Sequence, residues 1–151
     1  MDTRKTMDKL NELLTDIESC YMMIAKENAL TYNALMLLLM VDSYEHLTQK
    51  QVCDTLHLPK SSVHSILSDL IARGCLALSE GGNKKEKYII PTEAGAAFLQ
   101  KVTSETEQME NRTLSSLPEC NIAVFMRTAE RLAEQMKKEA ASMYGGDVRE
   151  D

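Results

Sequence analysis

The spacing of apolar side chains changes character only between Gly74 and Pro91. On either side of that stretch, apolar residues recur every three or four positions; within it they alternate with polar ones. The first period belongs to a helix buried along one face, the second to a strand. The implied fold class is mainly α with one small β-hairpin (α+β).

The helical segments can be placed individually. Met7, Leu10, Leu14, Ile17, Tyr21 and Ile24 follow a 3-4-3-4-3 spacing and form one stripe of a first helix. This stripe fits packing on the chain's own core and a seam between two chains about equally well. Thr31 is a fitting N-cap for a second helix, whose run Tyr32 to Val41 is apolar on every side and so predicts a buried central helix. Thr48-Gln49-Lys50-Gln51 has the form of a capping box and opens a short third helix that ends before Pro59. A fourth helix begins near Lys60, with Val63, Ile66, Leu67, Leu70 and Ile71 on its buried face and Gly74 beyond its end. Two helices joined by Leu56-His57-Leu58-Pro59 have the form of a helix-turn-helix.

Residues 75–79 and 87–90 read as strands, joined through Gly81-Gly82-Asn83, a turn suited to positive φ. Thr92 is placed to cap a long helix from about Glu93 to about Leu114, roughly 33 Å at 1.5 Å per residue. Such a length suits a connection between two regions. Ser116-Leu117-Pro118-Glu119 repeats the capping-box form before a last helix, where Ile122, Phe125, Ala129, Leu132 and Met136 again fall at 3-4-3-4. Stripes at both ends of a small chain predict mutual packing within and between protomers. The organisation expected is residues 1–29 as an N-terminal dimerisation helix and 30–95 as the helix-turn-helix with its hairpin. Residues 96–144 follow as the connecting and C-terminal dimerisation helices, and 145–151 as a charged, disordered tail.

Composition narrows the setting. The longest apolar run, Ala34 to Val41, is far short of the roughly 20 residues of a membrane span, and no apolar stretch follows the charged N-terminus. Cys20, Cys53, Cys75 and Cys120 are scattered and read as reduced thiols, which together with the rest predicts a cytoplasmic protein. The net charge of −6 argues against general polyanion binding. Residues 46–95, however, hold six basic side chains against five acidic ones, whereas the remaining 101 residues hold 11 against 18. Only the central segment can approach a phosphate backbone without net repulsion.

The order helix, helix, helix-turn-helix, hairpin, long helix, helix is that of a winged helix with helical arms, and the sequence resembles the MarR family of bacterial transcription factors. The resemblance rests on Leu30-Thr31-Tyr32, on Leu58-Pro59-Lys60-Ser61-Ser62-Val63 and on the helix-to-strand junction Leu70 to Leu76. It rests also on Asn83-Lys84-Lys85 followed by Pro91-Thr92-Glu93-Ala94-Gly95. It covers residues 30–100 in detail and the flanking helices in arrangement only. Where that family's wing usually carries Asp-x-Arg, this chain has Asn83-Lys84-Lys85; where its recognition helix carries basic residues, this chain has Ser65 and Asp69. The scaffold is kept more faithfully than the charge.

The outward face of the fourth helix comprises Ser61, His64, Ser65 and Ser68, with Lys60 and Ser62 at its start. These groups can meet base edges and phosphates, and Asn83, Lys84, Lys85 and Lys87 at the hairpin can reach an adjacent minor groove or phosphate. The dimerisation residues expected are Met7, Leu10, Leu14, Ile17 and Tyr21 with Ile122, Phe125, Ala129, Leu132 and Met136. Cys53 and His57 stand at a spacing able to chelate zinc, but without a further ligand they read as a packed thiol and a surface imidazole, and no metal or cofactor is expected. Cys20, beside Ile17, Tyr21 and Ile24, reads as a buried inert thiol. No nucleophile-base pair, acid pair or phosphate-binding glycine loop points to an enzyme. Met22, Met23, Met36 and Met40 favour core packing, with a pocket for a small apolar or aromatic effector as the functional alternative. The sequence therefore predicts a homodimeric regulator, most naturally a repressor on a pseudo-palindromic double-stranded operator. A winged-helix adaptor that has lost its affinity for DNA is the rival reading.

Overall fold

The computed structural model describes residues 1–81 and 86–145. Among these lie six helices and one hairpin: α1 (Thr3–Glu27), α2 (Tyr32–Ser43), α3 (Gln49–Leu56), α4 (Lys60–Ala72), β1 (Leu76–Glu80), β2 (Lys87–Pro91), α5 (Ala96–Ser115) and α6 (Glu119–Tyr144). The hairpin is antiparallel, with Leu76 opposite Pro91 and Glu80 opposite Lys87. Its tip, with the Gly82-Asn83 part of the expected turn, lies outside the described residues, as does the expected tail from residue 146 on. The chain divides into two compact units, residues 1–108 and residues from Met109 on, and the division falls inside α5.

The first unit is built around α2. Ala34, Leu35, Leu37, Leu38, Met40 and Val41 are all buried there, on every side of the helix, as its uniform apolarity requires. Leu37 and Leu38 pack with Val52 of α3, Val63, Leu67 and Leu70 of α4, Leu76 and Ile89 of the hairpin, and Leu99 of α5. Leu35 belongs to a second cluster with Ala25 of α1 and Val102 of α5. Ile71, expected in the core, is exposed. At 3.6 residues per turn it stands about 80° from Val63, at the margin of the buried stripe.

The predicted caps hold in the helix-turn-helix. Thr31 Oγ1 accepts the Ala34 amide at 3.1 Å. At α3 both halves of the box form: Thr48 Oγ1 accepts the Gln51 amide, and the Gln51 side chain accepts the Thr48 amide at 2.8 Å. Gly74, with φ of +73°, ends α4 in the left-handed region. Two later caps differ from expectation. Ser116 does not open α6; its hydroxyl donates to the Thr113 carbonyl, and Pro118 holds the N-cap position without a side-chain bond. Thr92 accepts the Gly95 amide, but the helix starts only at Ala96, because residues 93–95 first make a turn against the end of α4. There the Thr92 hydroxyl donates to the Gly74 carbonyl at 2.6 Å, and its amide to the Cys75 carbonyl.

A buried polar group fastens α1 to α5. Asn28 is 6% exposed; its Nδ2 donates to the Ile24 carbonyl and to Glu105 Oε2 at 2.8 Å, and its Oδ1 accepts from Lys101. The Asn28 amide and the Lys101 ammonium hold the Glu105 carboxyl below its usual pKa range. A carboxylate with a lowered folded pKa stabilises above its unfolded pKa, and loses that contribution as pH falls through the folded one. The Tm of the native protein should therefore exceed that of Glu105→Gln near neutral pH, with the gap closing as pH falls through the lowered range of this carboxyl. A gap that stays constant across that range would take the Glu105 charge out of this contact.

The terminal stripes are largely uncovered in the single chain. Met7, Leu10 and Tyr21 of α1 and Ile122 and Ala129 of α6 are half-buried, while Leu14 and Met136 are exposed. Ile17 is 54% and Phe125 58% exposed, and α6 buries no residue at all. Cys20 is correspondingly exposed, contrary to the sequence reading, because the stripe expected to bury it is itself open; its thiol donates to the Asp16 carbonyl. Among the described residues, no helix is long and apolar enough to cross a membrane.

Candidate nucleic-acid interface

Of the two helices of the helix-turn-helix, α4 is the one whose first turn has no side-chain cap. α2 and α3 use Thr31 and Thr48 to satisfy a first-turn amide, whereas α4 begins after Pro59, which has no side chain able to do so. Ser62 and Val63 donate back to the Pro59 carbonyl, and Lys60 and Ser61 are exposed at the tip. Val63, Leu67 and Leu70 are fixed in the core, so the helical period turns His64, Ser65 and Ser68 outward. All three are exposed; Ser62 is half-buried.

Two grooves flank this tip. One, of about 550 Å³, is lined by Thr48, Gln49, Lys50, Cys53, Lys60, Leu78, Glu86 and Lys87. It lies between the start of α3, the start of α4 and the hairpin from Leu78 to its loop end at Glu86 and Lys87. Gln49 Nε2 donates to the Lys60 carbonyl at 3.3 Å and joins the two helix starts. The Ile89 amide donates to the Leu47 carbonyl, Thr48 bridges Tyr88, and the His46 ring stacks on Tyr88 at 4.8 Å, which together fix the hairpin against the α3 start. Lys50 bonds Asp54 at 2.6 Å, and that hydrogen bond raises the ammonium pKa, so Lys50 remains cationic. The second groove, of about 470 Å³, is lined by Thr31, Asn33, Ser61, Ser62, Ser65 and Ile66, all uncharged.

The structure thus brings Lys60, Ser61, Ser62, His64, Ser65 and Ser68 onto one helix, with Lys87 across the lysine groove. Asn83, Lys84 and Lys85 lie outside the described residues. Asp69 is 3.8 Å from Arg73 and thus partly answered within its own helix. Arg73 also donates to the Ala29 carbonyl at 3.1 Å and stands over the Phe98 ring, anchoring the far end of α4 to the α1–α2 turn and to α5. Sequence reasoning missed Thr31, Asn33, Thr48, Gln49 and Lys50. Thr31 and the 48–51 box were read only as caps, and nothing in a linear sequence places the start of α2 beside Ser61. His57 is the C-cap of α3 at φ of 52°, beyond the helix end, so Cys53 and His57 do not form the helical i, i+4 pair that their spacing allowed.

Residues 30–86 match the MarR family. That segment is similar to the MarR family, and it folds as a winged helix. Solved structures agree across most of the chain's length. A MarR family regulator from Neisseria meningitidis is similar with a TM-score of 0.79 at 20% identity, covering 91% of this chain and 97% of that one. A Listeria monocytogenes protein described as a MarR family transcriptional regulator, in complex with a 26mer DNA, is similar with a TM-score of 0.74 at 18% identity over 96% of this chain and 97% of that one. Staphylococcus aureus MarR in complex with salicylate and kanamycin gives a TM-score of 0.73 at 11% identity over 91% and 93%. No curated protein matches the chain. In this winged helix α3 and α4 are the helix-turn-helix, α4 is its second helix and the hairpin is the wing.

Proposed function

We propose that this protein is a cytoplasmic transcriptional regulator that binds double-stranded DNA as a homodimer, most simply a repressor occupying a pseudo-palindromic operator. The observation that carries the reading is the uncapped, exposed start of α4 beside a groove walled by Lys50, Lys60 and Lys87. Lys60, Ser61, Ser62, His64, Ser65 and Ser68 would meet base edges and phosphates, and Asn83, Lys84, Lys85 and Lys87 the flanking backbone or minor groove. In this reading residues 1–29 and 96–144 are dimerisation arms, residues 30–95 read DNA, and a second copy covers the open apolar stripes. The two recognition helices of the dimer would have to stand about 34 Å apart to enter successive major grooves. The Listeria complex with DNA supports the partner class.

The same reading includes release by a small apolar or aromatic compound. Its support lies in relatives: the Staphylococcus protein in complex with salicylate, and a similar Bordetella bronchiseptica protein whose DNA binding is regulated by 6-hydroxynicotinic acid. Neither described groove is lined by a methionine, so Met22, Met23, Met36 and Met40 gain no support as a pocket.

Salt dependence tests the DNA reading. With Lys60, Lys84, Lys85 and Lys87 as the phosphate partners, twice over in a dimer, log K should fall with log salt at a slope of about 4 to 7. Lys84→Ala with Lys85→Ala should flatten that slope by about two to four. The measurement is fluorescence anisotropy on duplex DNA from upstream of the protein's own gene, beginning near 50 mM salt. The rival adaptor reading draws on Ser65 and Asp69 standing where basic residues are usual. Absence of binding to this duplex and to random duplex would favour it.

A further inference from the structure

We infer that the two grooves beside α4 receive the two sugar-phosphate backbones of one major groove, one strand held by charge and the other by neutral hydrogen bonds. This rests on the reading of α4 as a DNA-recognition helix and assigns it partners on both sides. A helix lying in a major groove about 12 Å wide has one phosphate backbone along each flank. Here consecutive residues of the first turn of α4 face different flanks: Lys60 lines the groove shared with α3 and the hairpin, and Ser61 lines the one shared with the start of α2.

The two walls differ in chemistry. The first presents the ammonium groups of Lys60 and Lys87, with that of Lys50 paired to Asp54, against the lining carboxylate Glu86, over a floor that includes Cys53 and Leu78. The second presents three serine hydroxyls, the Thr31 hydroxyl and the Asn33 amide, with no charged side chain. Thr31 Oγ1 already accepts the Ala34 amide, which leaves its hydrogen to donate outward, and Asn33 stands in the first turn of α2, where the helix dipole favours an anion. Hydroxyl and amide donors bond phosphate oxygens well, but they do not replace condensed cations as an ammonium does. The lysine wall therefore sets the salt dependence, and the hydroxyl wall adds affinity that salt does not screen. That division suits an acidic chain, because it strengthens a docked complex without increasing attraction to polyanions in general.

The test is anisotropy of the full-length protein on the upstream duplex and on a random duplex, from about 50 to 200 mM salt. Asn33→Ala with Ser62→Ala should weaken binding about 10- to 100-fold across the dimer while leaving the salt slope unchanged. Lys60→Ala with Lys87→Ala should instead flatten the slope by about two to four. Asn33→Asp supplies a variant that keeps its fold, since an acidic residue in a first helical turn stabilises that helix. Facing phosphate it should nevertheless weaken binding at least as much as the double alanine change. Unchanged affinity in both the Asn33→Asp protein and the Asn33→Ala, Ser62→Ala protein would overturn the neutral wall and leave the DNA reading standing. A slope that falls equally for both wall variants would overturn the division of labour. If the native protein bound neither duplex, the DNA reading itself would fail, and this inference with it.

Discussion

Leu132→Glu is expected to convert the proposed dimer into a monomer of 17.0 kDa. Leu132 lies on the α6 stripe between Ala129 and Met136 and is 36% exposed in the single chain, so part of its surface still awaits a partner. Removing a leucine from an apolar seam forfeits roughly 1.5–3 kcal/mol, and a carboxylate there adds its own desolvation penalty. A two-fold axis imposes both terms twice. A total of about 5 kcal/mol or more raises the dimer Kd by three to four powers of ten. Light scattering at micromolar concentration reads this directly, with Arg131→Glu, a neighbouring exposed charge change, as the control that keeps the dimer. Binding to a pseudo-palindromic operator depends on the result, because a lone recognition helix has no fixed spacing to a second half-site. A Leu132→Glu protein that still ran as a tight dimer would take the α6 stripe out of the interface.

Gly95→Ala should be the most damaging small substitution within the winged helix. A Cβ built on Gly95 would stand 2.1 Å from the Cys75 carbonyl oxygen and 2.7 Å from its carbon. Those are backbone atoms, so no rotamer change relieves the contact. Relief requires moving residues 92–96 away from the end of α4. That would stretch the bonds from Thr92 to the Gly74 and Cys75 carbonyls and disturb Leu76, which is buried one residue further on. Overpacking alone costs about 1–3 kcal/mol, and breaking these bonds adds about 1 kcal/mol each. The expected loss is about 3 kcal/mol or more, a large share of the 5–15 kcal/mol that stabilises an ordinary domain. Denaturant unfolding measures it. Gly74→Ala provides the contrast, since nothing lies within 4 Å of its Cβ and only the positive φ is penalised. If Gly95→Ala proved as mild as Gly74→Ala, the close approach of α5 to the end of α4 would be misjudged.

Much of this could be read directly from residue order, and the reason is that the signals are local. Caps at Thr31 and Thr48, the Pro59 break, Gly74 beyond α4 and the switch to period two are decided within four or five residues of chain, so the helix-turn-helix and its hairpin followed from them. Where a local signal competed with packing, packing won: Ser116 did not cap α6, and α5 began three residues late because Thr92–Gly95 is occupied against Gly74 and Cys75. Cys20 shows the same limit, since a helical stripe states which side is apolar but not whether anything covers it. The grooves beside α4 depended wholly on tertiary structure. Thr31 and Asn33 reach Ser61 across some thirty residues, and Lys50 reaches Lys87 across almost forty, because α2 is buried between α3, α4 and the hairpin and holds their ends together. Periodicity fixes the direction of a side chain on its own element. Only the packing of elements around the shared core decides which side chains meet.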